Sequence, residues 1–245
     1  ISLDHLLERT TLLVKFSGIA LLTMLTAISL SAWIAVSSQL GRYEVAHPFP
    51  NNQTFHFERV DHAFLVTKST LKFEENLGEV IEASGGVEGV RHELGFTFPF
   101  AGHDWTEIWV RANGAVIFSE ESLDNFTQLL DNQTAAIVPF LADLSPMPEG
   151  GIFASRQPDR YVITWQRMAP RLQPDSPLTV QLVLYADGSF DFNYRELPLE
   201  SARDPYFGMS MVQMAGFIPG PDSLLLESFH FSQELPYLTK PDTGL

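Results

Sequence analysis

Carboxylates are the residues of this sequence whose types and spacing best suit chemistry. Two carboxyl groups held at a fixed separation can act as general acid and base. Three such pairs occur: Asp187 with Asp191, Asp143 with Glu149, and Glu120 with Glu121. Each pair also has a structural interpretation, since its members would lie in a turn, on the outward side of a strand or in a solvated loop. We favour the structural interpretation for all three.

Asp143 is the one candidate for a metal ligand. It follows a continuous apolar segment and precedes Ser145-Pro146, a position that suits a side chain capping a turn. The same position would let its carboxylate bind Ca²⁺ together with loop carbonyls. Turn capping is the preferred interpretation, and the calcium site is the alternative.

Other catalytic and cofactor signatures are missing from the sequence. There is no cysteine, and the seven histidines show no His-x-x-x-His spacing. Neither a Gly-x-Ser-x-Gly elbow nor a glycine-rich phosphate loop occurs. The sequence therefore predicts a protein that is not an enzyme, with no catalytic residue, no cofactor and no small-molecule substrate.

The charge balance bears on the choice of partner. Fifteen Lys and Arg residues stand against 30 Asp and Glu residues, which gives a formal net charge of −15. Nucleic-acid binding requires clustered cations that neutralise phosphates. A nucleic-acid partner is therefore excluded, and contact with other proteins is favoured.

The elements that must position any site begin with an apolar N-terminal segment. No charged residue occurs from Phe16 to Gly41, and the 21 residues from Phe16 to Val36 are enough to cross a bilayer core as one helix. A cleaved signal peptide is the alternative, but its apolar region is usually shorter. We predict a membrane anchor whose apolar residues include Phe16, Leu21, Leu22, Leu25, Ile28, Leu30, Trp33 and Ile34.

Flanking charges predict the orientation of that helix. Arg9 and Lys15 precede it, whereas Arg42 is the cation that directly follows. Positive charges favour the cytoplasmic side. We therefore expect a single-pass protein of the cell inner membrane, with residues 1–15 in the cytoplasm and an acidic C-terminal domain in the periplasm or outside the cell.

The remaining chain carries the pattern of an all-β protein. From Leu94 onward, short runs rich in Val, Ile, Phe, Tyr and Trp alternate with turn residues. Asn113-Gly114 and Asp187-Gly188 predict two-residue hairpin turns. We expect an antiparallel β-sandwich over 94–235, preceded by the transmembrane helix at 16–36 and by a linker with first strands at 37–93, and followed by an irregular tail at 236–245.

The order of several segments resembles a known module. These segments are Asn113-Gly114 with Val116-Ile117-Phe118, Ile137 to Asp143, Gly151-Ile152-Phe153, Tyr161 to Trp165, and Val180 to Gly188 followed by Phe192-Asn193-Tyr194. They are similar to the nidogen-type (NIDO-like) extracellular β domain of bacterial surface proteins, over about residues 79 to 215. The resemblance implies a role in extracellular assembly or adhesion, without catalysis and without naming a partner.

Apolar residues near the C-terminal end offer a candidate contact surface. Methionine and aromatic side chains adapt well to a partner. The candidates are Met209, Met211, Met214 and Phe217. Packing in the core of the sandwich is the default alternative for them.

These observations lead to one preferred function and two alternatives. We expect an accessory, structural subunit of a larger membrane complex, for example a photosynthetic or respiratory one, whose β domain contacts integral membrane subunits. A surface adhesion or matrix-binding protein is the second hypothesis. A membrane-tethered hydrolase that uses loop carboxylates is the third.

Overall fold

All regular secondary structure in the described part of the chain is β-strand. The computed structural model describes residues 51–61, 63–83, 89–119, 134–171, 173–197, 214–218, 227–228 and 235–239, all within one unit that spans 47–245. The strands are β1 (Gln53–Val60), β2 (Ala63–Thr70), β3 (Glu79–Ile81), β4 (Gly89–Phe100), β5 (His103–Arg111), β6 (Val116–Ile117), β7 (Ala136–Leu141), β8 (Leu144–Arg156), β9 (Arg160–Pro170), β10 (Leu178–Tyr185), β11 (Phe190–Glu196), β12 (Met214–Ile218), β13 (Glu227–Ser228) and β14 (Tyr237–Leu238).

The strands form two antiparallel sheets around one core. Sheet A has the order β14-β2-β1-β11-β10-β9-β8-β3, and sheet B has the order β13-β12-β7-β6-β5-β4. The predicted all-β antiparallel sandwich is confirmed. The predicted anchor at 16–36 lies outside the described residues, and no helix within them is long and apolar enough to cross a membrane.

Aromatic residues dominate the core between the sheets. Phe57 on β1 stacks on Phe190 of β11 with ring centroids 4.5 Å apart. Phe217 reaches across from sheet B and meets the ring of Phe64 edge-on at 5.0 Å. Full burial of a Phe side chain contributes about 1.5–3 kcal/mol. The core therefore fixes which face of each strand points outward.

The two predicted hairpins form, but their loops differ from the prediction. The N–H of Tyr185 donates to the carbonyl of Ser189, and the N–H of Gly188 donates to the carbonyl of Tyr185, which leaves a loop of three residues. Gly188 has φ +88°, whereas Asp187 does not have a positive φ. A type I turn followed by a left-handed glycine explains this arrangement, since only the glycine must take positive φ.

The Asn113-Gly114 hairpin uses the same design. The N–H of Arg111 donates to the carbonyl of Ala115, and Gly114 has φ +84°. A Cβ on Gly114 would lie 1.8 Å from the carbonyl oxygen of Phe140, so the turn packs directly on β7.

The sandwich includes chain on both sides of the predicted range 94–235. β1 pairs with β11, and β2 pairs with β1, so the segment assigned to linker and first strands supplies two neighbouring strands of sheet A, as well as β3 at its opposite edge. β14 lies in the segment predicted as an irregular tail and pairs with β2. The early strands could not be delimited because Phe64 to Phe73 fits helix and strand patterns equally.

Candidate functional site

The face of sheet A that points away from the core carries buried polar side chains. Thr54, Asn193, Gln181 and Thr164 lie on the neighbouring strands β1, β11, β10 and β9, and each is 0% exposed. They stand opposite one another in register, and side chains alternate between the two faces of a strand, so their sequence neighbours fill the core. We call these four residues the polar ladder.

Hydrogen bonds connect the ladder from end to end. The hydroxyl of Thr54 donates to Oδ1 of Asn193 at 2.6 Å, and Nδ2 of Asn193 donates to Oε1 of Gln181 at 3.2 Å. Nε2 of Gln181 then donates to the hydroxyl oxygen of Thr164 at 3.0 Å. Buried polar groups are costly when unpaired, and each side chain here supplies its neighbour with a partner.

An extended segment, residues 71–78, covers the ladder, and we call it the strap. It joins β2, near one edge of sheet A, to β3 at the opposite edge. Six strand spacings of about 4.8 Å make a span of roughly 29 Å. The nine residue steps from Thr70 to Glu79 reach roughly 30 Å when fully extended. The connection has almost no slack, so it must cross the sheet in a nearly straight path.

Backbone groups of the strap bind to the ladder. The N–H of Lys72 donates to the hydroxyl oxygen of Thr54 at 2.8 Å. The N–H of Glu74 donates to Oε1 of Gln181 at 2.9 Å, and Nε2 of Gln181 donates to the carbonyl of Glu74 at 3.0 Å. The carboxamide of Gln181 thus bonds the strap as an adjacent strand would.

The side chain of Glu74 adds a charged contact to the strap. Its Oε1 accepts from Nε of Arg160, and its Oε2 accepts from Nε2 of Gln157, both at 2.6 Å. The hydrogen bond from Arg160 to Glu74 raises the pKa of the Arg160 guanidinium despite the opposing effect of burial. Charge-assisted hydrogen bonds are stronger than neutral ones.

Other contacts fix the middle of the strap and its end next to β3. Arg195 forms an ion pair with Glu75, and its guanidinium lies 3.6 Å from the ring centroid of Phe73. Its hydrogen bond to Glu75 lowers the pKa of that carboxyl. At the end next to β3, Gly78 has φ +80°, and a Cβ there would lie 2.0 Å from the carbonyl oxygen of Ala154. Only glycine fits this approach to β8.

Beside the ladder lies a group of three titratable residues. Nδ1 of His56 lies 2.5 Å from Oδ1 of Asp191, and the hydroxyl of Tyr185 donates to Oδ2 of Asp191 at 2.9 Å. Asp191 is 1% exposed, whereas the His56 side chain is 32% exposed. The hydrogen bond to Asp191 raises the pKa of His56, and burial opposes this effect. Burial is the main cause of the raised pKa of Tyr185.

The carboxylates singled out in the sequence have separate structural partners. Asp187 accepts from the N–H and the hydroxyl of Ser189, so it caps its own turn. Asp191 points outward from its strand, yet the neighbouring side chains bury it. Glu149 is exposed with φ +64°, and Glu120 and Glu121 lie outside the described residues. Asp187 and Asp191 therefore accept hydrogen bonds from different residues.

Asp143 contacts a cation of the protein. Nε of Arg171 donates to Oδ2 of Asp143 at 2.8 Å, and the N–H of Arg171 donates to its carbonyl. The hydrogen bond from Arg171 to Asp143 raises the pKa of Arg171. Among the residues the structure describes, no group of three His, Asp or Glu side chains is placed to hold a metal ion. The Asp143 carboxylate thus forms an ion pair with Arg171, and turn capping and calcium binding both stay predictions.

The other candidates fall in different places. Phe217 is 2% exposed and belongs to the core, as the core-packing alternative expected. Met214 lies in β12, and its side chain is not described; Met209 and Met211 lie outside the described residues. The anchor residues from Phe16 to Ile34 also lie outside them.

Sequence reasoning missed the ladder and the strap. One signal was present, because Gln181 interrupts the run Leu178–Tyr185, which is otherwise mostly apolar. A continuous apolar strand is typically covered on both faces. A glutamine inside such a strand therefore indicates a buried, hydrogen-bonded amide.

Comparison with known proteins supports the resemblance noted in the sequence. The family model described as NIDO related matches residues 63–208, which is more than half of the chain. No curated protein matches. No solved structure matches. The predicted likeness to a NIDO-like domain is confirmed.

Proposed function

From the premise that this chain belongs to the NIDO-related family, we propose that it is a non-catalytic, membrane-anchored accessory subunit of a larger membrane protein complex. A photosynthetic or respiratory complex would be an example. In this proposal the β domain contacts partner subunits on the extracytoplasmic side, while the segment at 16–36 holds it in the inner membrane.

One observation carries the non-catalytic part of the proposal. Three carboxylates that could perform chemistry make contacts within the fold instead. Asp143 pairs with Arg171, Asp187 caps a turn, and the carboxylate of Asp191 bonds to both His56 and Tyr185. A catalytic pair instead needs groups aimed at a shared substrate position.

Charge supports contact with protein partners. Of the 30 acidic residues, 28 follow residue 41, against 13 of the 15 basic residues. Complementary charge steers association and selects partners. We therefore expect the contacted subunits to present lysine and arginine side chains to this domain.

Native extraction tests the proposal. Membranes that contain the full chain are solubilised in mild detergent, separated by native electrophoresis, and the co-migrating proteins are identified. We expect a large complex with a constant set of membrane proteins. Two matched samples locate the contact: a chain whose residues 16–36 are replaced by an unrelated membrane helix, and the wild-type chain extracted at high salt.

Each sample has a defined expected result. If the anchor packs against partner helices, the replaced helix reduces co-migration, because close helix packing depends on small residues such as Gly18 and Ala27. If the acidic domain supplies the contact, high salt reduces co-migration, because salt screens exposed charges. A chain that migrates alone under mild extraction contradicts the proposal.

An adhesive role is a second candidate, favoured by the implied kinship with extracellular domains. It predicts that the full chain, reconstituted in lipid nanodiscs, binds matrix-coated or cell surfaces. Nanodiscs without the chain are the control. If the nanodiscs that carry the chain bind these surfaces and the chain migrates alone in native gels, the adhesive role replaces the subunit proposal.

A further inference from the structure

The first hairpin of the domain is joined to the rest of sheet A along a single seam. The pairing of β1 with β11 connects three strands, β14, β2 and β1, to the remaining strands of the sheet. This pairing runs from Gln53 opposite Tyr194 to Phe57 opposite Phe190. Whatever strengthens the β1–β11 seam therefore fastens the hairpin that follows the predicted anchor.

Two side-chain pairs cross the outer face of the seam. Thr54 bonds to Asn193, and His56 bonds to Asp191, each pair directly opposite in register. The first pair is neutral at every ordinary pH. The second contains histidine, the side chain whose unperturbed pKa lies closest to neutrality.

The surroundings make Asp191 depend on its histidine partner. Tyr185 of β10 donates to the second carboxylate oxygen, so both oxygens are occupied inside a nearly fully buried site. A buried carboxylate is costly without an opposite charge. Protonated His56 supplies that charge, whereas neutral His56 supplies at most a hydrogen bond.

Other groups around His56 modify this balance. Glu58 on β1 favours the protonated form of His56, and Lys72 on the strap opposes it. His56 in turn interacts with Asp187 of the β10–β11 turn. From β2, the residue opposite His56 is the uncharged Thr67.

We propose that the His56–Asp191 pair is a pH-sensitive latch, which fastens the β1–β2 hairpin to sheet A when His56 is protonated and loosens it when His56 is neutral. The proposal rests on the described β domain and not on the membrane role. The pKa of His56 is raised on folding. The pair therefore stabilises the fold fully when the pH is below the ordinary histidine pKa of about 6.5, and this stabilisation is lost as the pH rises through the pKa of His56 in the folded protein.

Hydrogen–deuterium exchange of the full chain in detergent tests the latch. Exchange of the β1 amides is followed between pH 6 and pH 9 and corrected for intrinsic rates. We expect protection of residues 53–57 to fall as the pH rises, by about tenfold for each unit by which the pKa is raised. In His56→Gln, which keeps a hydrogen-bonding group without the titration, protection should not change with pH.

Thr54→Val is the matched control on the same seam. It removes the hydroxyl of the neutral pair, so protection should be lower at every pH while its pH dependence persists. His92 can be distinguished from the latch, because burial lowers its pKa and its titration would therefore change stability with pH in the opposite direction.

A direct titration gives the second measurement. The NMR signals of the His56 ring should titrate with a midpoint above 6.5 in the wild-type chain, and Asp191→Asn should lower this midpoint. A wild-type midpoint at or below 6.5 overturns the latch even if a variant fails to fold. Equal pH dependence of β1 protection in wild type and His56→Gln also overturns it.

Discussion

The outward faces of sheets A and B are both buried, yet with opposite chemistry. Sheet A buries the polar ladder beneath the strap. Sheet B buries a small apolar cluster on the face away from the core, consisting of Ala115, Ile117, Ala136, Val138, Leu141 and Ile218, each at most 4% exposed. An apolar face gains stability from any well-packed cover, whereas a polar face demands particular partners. Sheet A is therefore the more specific of the two surfaces and the more easily damaged by loss of one group.

The largest effect is expected from a polar residue placed on the apolar face. Ile117→Asn should lower the free energy of unfolding by about 5 kcal/mol, because it removes buried apolar volume and buries an amide among the apolar side chains of this cluster. Chemical denaturation of the full chain measures this change. Ile117→Val, expected to cost about 1 kcal/mol, is the control. A loss for Ile117→Asn no greater than that of the control would show that this face is not buried.

Replacing a polar residue by an apolar one on the polar face should lower the free energy of unfolding somewhat less. Gln181→Leu removes hydrogen-bonding partners of the backbone N–H and carbonyl of Glu74 and of the amide of Asn193. We expect the free energy of unfolding to fall by about 3 kcal/mol in total. The matched control is Gln166→Leu on β9, since Oε1 of Gln166 has no hydrogen-bond partner in the described part of the chain. Equal losses for the two variants would contradict a special role for the ladder.

The smallest effect should come from the charged contact of the strap. Glu74→Gln keeps a hydrogen-bonding side chain but removes the ion pair with Arg160. The side chains of Glu74 and Arg160 are each about one quarter exposed. We expect a loss of about 1 kcal/mol, and a weaker dependence of stability on salt than in wild type. Glu75→Gln, whose ion pair with Arg195 lies at the surface, should change stability less. A larger loss for Glu75→Gln would mean that the strap is held chiefly by Arg195.

Local sequence signals predicted much of the sandwich. β10 (Leu178–Tyr185) forms where the alternating pattern predicts a strand, because a long run of β-branched and aliphatic residues ends at an Asp-Gly turn. The glycines at 114 and 188 take the expected left-handed conformation, since no other residue does so without strain. Only the length of these loops differs from the prediction.

The site could not be derived in the same way. Thr54 and Asn193, or His56 and Asp191, are separated by more than 130 residues and meet only through strand register. Alternation predicts that these side chains point outward, but it does not predict a strap that covers them. The sequence pattern therefore predicts that these outward polar side chains are exposed to solvent, whereas the fold buries them.

Carbodiimide coupling in intact membranes tests the proposed function most directly. This reagent joins a carboxylate to a lysine only when the two already touch, and mass spectrometry identifies the joined residues. The account predicts links from acidic residues beyond position 50 to lysines of the same few membrane proteins that co-migrate with the chain. Links confined to pairs within the chain itself, such as those to Lys68 or Lys72, would contradict it.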